Sequence, residues 1–472
     1  MSVNKRHELI HGVQTQLWVD KVNNARVTGR LPEWVSTFHP DGLSGHLEGG
    51  FIHGGYNVCQ KVAFSDGTVW LLRLPLVGNV CDQYADEKVA MEVEVLSLIR
   101  KNTAIPVPDV KAWGLAVDNP LGLGPFIIMN FIEGVSLNHL LRKNKDTRLL
   151  KQDISDNEIE FLYKQLAHIL LELFKLDFDR IGSLPTPETG FSVPVRPLTF
   201  KVHDILQTGG VNTFDDRSDG FSTTTDYFQY IFEQDWKQLI SQPNSVGGKY
   251  TSRAEYASFS VLRSLIPDLV ERDYDRGPFK LICDDLGIAN LIVKSEEDLT
   301  VVGVVDLEWS YVGPAQLFGS APWWLLQDRL NNWDTDLDEE ELPEILARYR
   351  SYLEIFKRVL EEEEEKMPGA KKAFSDLVKR SENSGAMWLH MMLSWGFNHR
   401  YSLPFSQLRL HIGEEKWDQL EKPFYGTEEM DRFTEQKMTQ KEQYEQDLEK
   451  TKADIADVDN QKMTVEELIA TL

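Results

Sequence analysis

Between residues 280 and 306 an otherwise helix-patterned chain switches to short apolar strands, and no other feature restricts the fold as much. Lys280-Leu281-Ile282-Cys283 leads into Asp284-Asp285-Leu286-Gly287-Ile288-Ala289-Asn290. Leu291-Ile292-Val293 reads as a strand, 294–299 as a polar turn, and Val301-Val302-Gly303-Val304-Val305 as the return strand, ending in Asp306. Such a hairpin brings Asp306 back beside Asn290. Around it helical periodicity dominates, over 158–175, 227–239, 255–269, 341–365 and 371–395. Upstream the texture differs. Strands over 58–64 and 69–74 flank the turn Ser65-Asp66-Gly67-Thr68, a helix over 87–101 is stopped by Ile105-Pro106-Val107-Pro108, and 125–131 is a further strand.

The chain is therefore expected to be α+β and two-lobed. A small antiparallel-sheet lobe spans 45–134, and a larger, mainly helical lobe spans 135–425 and holds the hairpin 280–306. Leu9, Ile10, Val13 and Leu17 stand at helical spacing, which makes 1–44 a helical extension. The charge-rich stretch 426–472 reads as a tail, an exposed helix or partly disordered.

Asp285, Asn290 and Asp306 are the residue types that phosphoryl transfer needs. One carboxylate orients the attacking hydroxyl and accepts its proton, while a carboxylate and an amide hold hard magnesium through oxygen. Kinase catalytic loops place the metal-binding Asn five residues after the catalytic Asp, and that interval selects Asp285 over Asp284 as the candidate base. The plain alternative is that Asp284 and Asp285 cap a turn while Asn290 satisfies backbone groups. Gly49-Gly50-Phe51-Ile52-His53-Gly54-Gly55-Tyr56-Asn57 precedes the first strand of the small lobe, and glycines there let backbone N–H groups approach phosphate. Trp309, Tyr311, Trp323 and Trp324 line a substrate cleft or, more simply, belong to the core. His390 and His399 lack metal-ligand spacing.

Fifty basic against 75 acidic residues give a formal charge of −25. Such a surface repels nucleic-acid backbones and anionic lipid, so neither nucleic acid nor membrane is an expected partner. It suits a small cationic substrate, though solubility alone accounts for it. No run approaches the ~18 apolar residues of a membrane span, and the first residues lack a signal peptide's apolar core. Cys59, Cys81 and Cys283 show no CxxC spacing, so a reducing, cytoplasmic setting without disulfides is expected. The acidic runs DLDEEELPE and EEEEEK read as solvated helix faces.

With these parts in order, the chain resembles the aminoglycoside phosphotransferase and choline kinase-like branch of the protein-kinase fold, and looks especially like fungal members of unknown substrate. EVEVLSLIRKNTAIPVPDV, PFIIMNFIEGVSL, and KLICDDLGIANLIV followed by VVGVVDLEWSYVGPAQLF carry the likeness, over about residues 45–330 and loosely to 425. The resemblance implies ATP and magnesium as cofactors and a small-molecule hydroxyl as acceptor. It makes Asp285 the catalytic base and Asn290 and Asp306 the magnesium ligands. It places Gly54, Gly55 and Asn57 in the phosphate loop, Arg73 and Glu92 as the small-lobe ion pair, and Met129 in the connector whose backbone reads an adenine edge. The lack of a long activation segment after Asp306 favours a small-molecule kinase over a protein kinase. Cys283-Asp284 replaces the family's His-Gly, and Arg73 replaces its Lys. These departures open the alternative of a weak or inactive kinase-like protein that binds nucleotide or acts as a scaffold.

Overall fold

The computed structural model describes residues 1–472 except 2, 145–147, 185–192, 194, 215, 334–339, 370 and 472, so the acidic run at 336–344 lies partly outside the described residues. The chain opens with α1 (Lys5–Val27), capped by Asn4, and α2 (Arg30–Ser36). The small lobe follows as β1 (His46–His53), β2 (Asn57–Ala63), β3 (Val69–Pro75), α3 (Asp82–Asn102), β4 (Val110–Gly114) and β5 (Phe126–Asn130). Its strands form one antiparallel sheet in the order β1-β2-β3-β5-β4. Side chains alternate across a strand, so β5 sends Phe126 and Ile128 to one face and Ile127 and Met129 to the other. α3 covers the second face through Val89 and Val93. Trp18 and Val22 of α1, with Leu31 and Trp34 of α2, cover the first face. The extension is thus part of the small lobe's core.

The crossing into the large lobe needs a glycine. Gly134 has φ +150°, and a Cβ there would fall on the carbonyl oxygen of Val293. The next two residues, β6 (Val135–Ser136), pair with the first strand of the hairpin at 291–304. Then come α4 (Leu137–Leu141), α5 (Asp156–Phe174), α6 (Phe200–Gln207), α7 (Thr224–Ser241) and α8 (Lys249–Leu265). α5 starts on a capping box of Ser155 and Glu158 and buries Ile159, Leu162, Tyr163 and Leu166 at helical spacing. The β interlude is β7 (Lys280–Cys283), β8 (Leu291–Val293), β9 (Val301–Val304) and β10 (Ser310–Gly313), followed by α9 (Ala315–Phe318). The expected helix over 371–395 is two helices, Ala373–Asn383 and Ala386–Leu393, because Gly385 between them takes φ +76°. The organisation is α+β and two-lobed, as the pattern predicts.

The tail departs from expectation. Residues Glu428–Asp459 form one helix of 32 residues packed against α8 and α1, not an exposed or disordered appendage. Its buried stripe is Met430, Phe433, Thr434, Lys437, Tyr444 and Thr451. Three of those positions are polar enough to hide the pattern, and each finds a partner: Thr434 Oγ1 accepts from Ser252 Oγ at 3.2 Å. Lys437 Nζ donates to the carbonyl of Gln242 at 2.6 Å, and Thr451 Oγ1 accepts from Arg6 Nε at 3.0 Å. Among the described residues no helix is long and apolar enough to cross a membrane, and all three cysteines are free thiols.

Candidate active site

The hairpin is built as its sequence reads. Leu291 of β8 stands opposite Val304 of β9, and Ser310 of β10 opposite Cys283 of β7. Asp285 and Asn290 therefore share the loop between β7 and β8, while Asp306 opens the loop between β9 and β10. Val305 N–H donates to Asn290 O at 2.9 Å. Asn290 Nδ2 donates to the carbonyls of Asp285 at 2.9 Å and Asp306 at 3.4 Å. The amide nitrogen thus ties the two loops together, which is the structural role, and turns Oδ1 away from those carbonyls, which suits a metal-facing role. Asp306 and Trp309 both hold left-handed backbone, φ +62° and +59°. Each non-glycine in that region costs about 1–3 kcal/mol, strain that collects where a loop must aim its side chains.

Asp285 keeps 36% of its side-chain surface open and has Arg329 Nη2 at 3.4 Å. Burial pushes its carboxyl up to about 6, Arg329 pulls it back, and Asp306 and Glu308 push it further. A carboxyl poised near neutrality is the result. Asp284 points inward instead. It is buried, and burial raises it to about 7 against the opposing pull of Arg329.

Arg73 and Glu92 are joined, as expected, but in the interior and within a larger cluster. Arg73 Nη1 pairs with Glu92, and Nη2 pairs with Asp306 and, at 3.2 Å, with Glu308. A surface pair is excluded, since the Arg73 side chain is 7% exposed and Glu92 2%. Lys88, one turn before Glu92 on α3, pairs with Glu308 and sits 5.3 Å above the Trp309 ring. Burial works against the Glu308 carboxylate, but Lys88 and Arg73 outweigh it and hold Glu308 below the usual range. Two cations thus serve three carboxylates across the lobe boundary.

Asn57 turns inward rather than toward a phosphate. Its Nδ2 donates to Glu308 Oε2 at 2.8 Å and its Oδ1 accepts from Lys88 Nζ at 3.1 Å. Gly49 and Gly50 lie inside β1, so only Gly54 and Gly55 form the turn. A Cβ on either would meet nothing within 4 Å, which leaves the turn open on its outer side. Met129 lies in β5 between Leu71 of β3 and Val110 of β4, with its side chain in the core. The sheet flanks it on both sides, and the connector proper is the stretch 131–134 that follows.

Lys88, Glu308 and Arg329 were not legible as site residues. Glu308 is the closest to detectable, two positions after Asp306. Arg329 comes from 44 residues beyond Asp285, and its guanidinium lies over Trp323 at 4.1 Å and Phe200 at 5.2 Å. Trp309, Tyr311 and Trp324 are core, as the simpler reading had it, while half-buried Trp323 faces Arg329. Burial raises the Cys283 thiol to about 12, which leaves it no nucleophilic role. Among the described residues no three His, Cys, Asp or Glu side chains group to hold a metal.

No family model matches the chain. It is 26% identical over 286 residues to the clavilactone A biosynthesis cluster protein Y of Ampulloclitocybe clavipes, covering 58% of this chain and 63% of that protein. It is 24% identical over 233 residues to the altered inheritance of mitochondria protein 9 of Yarrowia lipolytica, covering 48% of this chain and 36% of that one. The chain thus spans less than two thirds of the curated relatives it matches. Similar solved structures include a microcompartment-associated aminopropanol kinase, with TM-score 0.40 and 14% identity over 83% of this chain and 96% of that one. A macrolide 2'-phosphotransferase of Brachybacterium faecium gives 0.39 and 12% over 84% and 98%. An ethanolamine kinase of Plasmodium vivax gives 0.35 and 15% over 80% and 83%.

Proposed function

We propose that the chain is an ATP-dependent phosphotransferase acting on a hydroxyl of a small molecule. The convergence of Asp285, Asn290 and Asp306 at one end of the hairpin supports this reading most directly. Asp285 takes the proton of the acceptor hydroxyl, a task that its raised carboxyl suits. Asn290 Oδ1 and the Asp306 carboxylate are hard oxygen donors, few in number, and fit a magnesium ion completed by phosphate oxygens. When bound, that ion supplies positive charge against the phosphates. The open turn at Gly54-Gly55 offers backbone N–H groups to the same phosphates. Arg73, locked by Glu92, holds Asp306 and Glu308 in place across the cleft. Purified protein with magnesium and labelled ATP is expected to transfer or slowly hydrolyse phosphate, and Asp285→Asn to abolish it. Equal turnover by the two proteins would remove Asp285 from the mechanism.

One contact favours a second reading, a nucleotide-binding or scaffold protein without turnover. Arg73 already pairs with Asp306, so a metal must compete for that carboxylate. Thermal stabilisation by ATP that requires magnesium and is lost in Asp306→Ala supports an intact nucleotide and metal site, and turnover abolished by Asp285→Asn then separates the enzyme from a silent nucleotide binder. No response to any nucleotide supports the scaffold.

A further inference from the structure

One segment of the large lobe reaches across to the small lobe. Residues 196–214 and 216–221, which include α6, meet it at four places. Tyr56, in the turn after Gly55, donates its hydroxyl to Asp204 Oδ1 at 2.8 Å. Gln207 Nε2 donates to the carbonyl of Gly78 at 2.7 Å, and the backbone N–H of Cys81 donates to His203 Nε2 at 3.1 Å. The fourth contact is ionic. Arg217 Nη1 and Nη2 donate to the two carboxylate oxygens of Glu87, on α3, at 3.0 and 2.6 Å.

This pair is buried, with the Arg217 side chain 8% exposed and Glu87 7%. A two-pronged arginine–carboxylate contact fixes direction as well as distance. The remaining donors of Arg217 are also engaged. Nε and Nη2 donate to the Arg196 carbonyl at 3.1 and 2.9 Å, and the guanidinium lies over Phe214 at 4.7 Å. Arg196 returns its backbone N–H to the Arg217 carbonyl at 3.0 Å, and its Nε donates to the Asp219 carbonyl at 3.0 Å. The large-lobe segment therefore sets where Arg217 stands, and Glu87 must meet it there.

Successive residues of a helix lie about 100° apart, so Lys88 leaves α3 on a different face from Glu87. Lys88 pairs with Glu308, and Glu92, one turn later, pairs with Arg73. α3 is thus gripped on two faces, and Arg73 passes the second grip on to Asp306. We propose that Arg217 is a positioning residue for phosphoryl transfer: by holding Glu87 it sets the place of α3, and through Lys88 and Glu92 that of Asp306. The role rests on the phosphotransferase reading, whereas the coupling of Arg217 to the loop at 305–309 does not.

Backbone hydrogen exchange of the full chain, without nucleotide, tests the coupling. In Arg217→Met, exchange should quicken about tenfold in α3 and at 305–309, while the helix Leu342–Glu365, packed on α5, keeps its wild-type rate. Equal quickening in all three regions, or none at 305–309, makes Arg217 an ordinary stabilising residue and overturns the proposal. Turnover of labelled ATP is the second readout. A displacement of about 1 Å is enough to cost up to about 10²-fold, so turnover per folded molecule should fall at least about tenfold and need more magnesium. Arg217→Lys, which keeps the charge, should recover part of it. Unchanged turnover in Arg217→Met overturns the proposal. If that variant fails to fold, Glu87→Gln, which keeps shape and removes the charge, carries both measurements in the same expected direction. A wild-type chain without Asp285-dependent turnover overturns the phosphotransferase reading, and exchange then decides the coupling alone.

Discussion

Arg73 pairs with three carboxylates, whereas Asp285, across the same cleft, faces one guanidinium at 3.4 Å. The first arrangement is paired in charge, although Arg73 Nε has no hydrogen-bond partner among the described residues. Every carboxylate around Arg73 has a cation, and the Glu308 carboxylate adds a hydrogen bond from Asn57. The second is left unmet: Asp285 and Asp284 are both raised by burial, and Asp284 Oδ2 has no partner among the described residues. Paired charge fixes geometry: Lys88 and Arg73 hold Glu308 below the usual range, while burial raises Glu92 to about 7 and raises Asp306 against the pull of Arg73. Unmet charge keeps a proton within reach. On the proposed reading one side of the cleft holds and the other reacts, and substitutions on each should fail in different ways.

The largest effect is expected on the reactive side. Asp285→Asn keeps shape and removes the proposed base, so transfer should fall by about 10²–10⁴-fold while the unfolding midpoint in urea stays put or rises. A midpoint that drops with the rate would move Asp285 into the structural class. Next comes Arg73→Met. It leaves Glu92, Asp306 and Glu308 short of positive charge in the interior, and breaking a buried pair from one side costs about 3–5 kcal/mol. Equilibrium unfolding measures this directly, and a change near zero would mean that the cluster is not the paired unit described.

How much of this could be read in advance follows from the same contrast. Asp285, Asn290 and Asp306 are joined by chain-local geometry, a loop and a hairpin whose apolar strands and polar turn are written in consecutive residues. So is the Arg73–Glu92 pair, a strand and the helix after it. Lys88 and Arg329 were invisible because their partners lie 220 and 44 positions away, at Glu308 and Asp285, and nothing local marks a charged residue as buried. Asn57 was misplaced for a related reason: a polar residue after glycines reads as loop, and only the fold shows Glu308 waiting below it. The tail helix failed differently, since Lys437 and Thr451 sit on its buried stripe where the pattern calls for apolar side chains.

Acidity gives a finer probe of the reactive side. Asp284 titrates near 7 in the folded chain and near 3.9 when unfolded, so the folded state binds more protons between those values. Its contribution to stability is complete below about pH 4 and is lost as pH rises through about 7. Asn does not titrate. The stability of the wild-type chain minus that of Asp284→Asn should therefore decline across this window, as read from urea unfolding at successive pH values. A flat difference would show that Asp284 ionises normally. The activity profile should run the other way, rising through about pH 6 as Asp285 loses its proton.

The smallest effect tests whether burial, rather than charge pairing itself, separates the classes. Arg253 and Asp431 join α8 to the tail helix through a 2.8 Å contact, shorter than the 3.2 Å contact of Arg73 with Glu308. Both side chains are about half exposed, 51% and 53%. Water solvates either partner almost as well alone, and salt screens the pair, so Asp431→Asn should cost less than about 1 kcal/mol and nothing measurable at 1 M salt. The same chemistry within the Arg73 cluster should cost several times more and barely respond to salt. If Asp431→Asn instead destabilised the chain as much as Arg73→Met, contact distance would govern these pairs and the contrast between the two sides of the cleft would lose its physical basis.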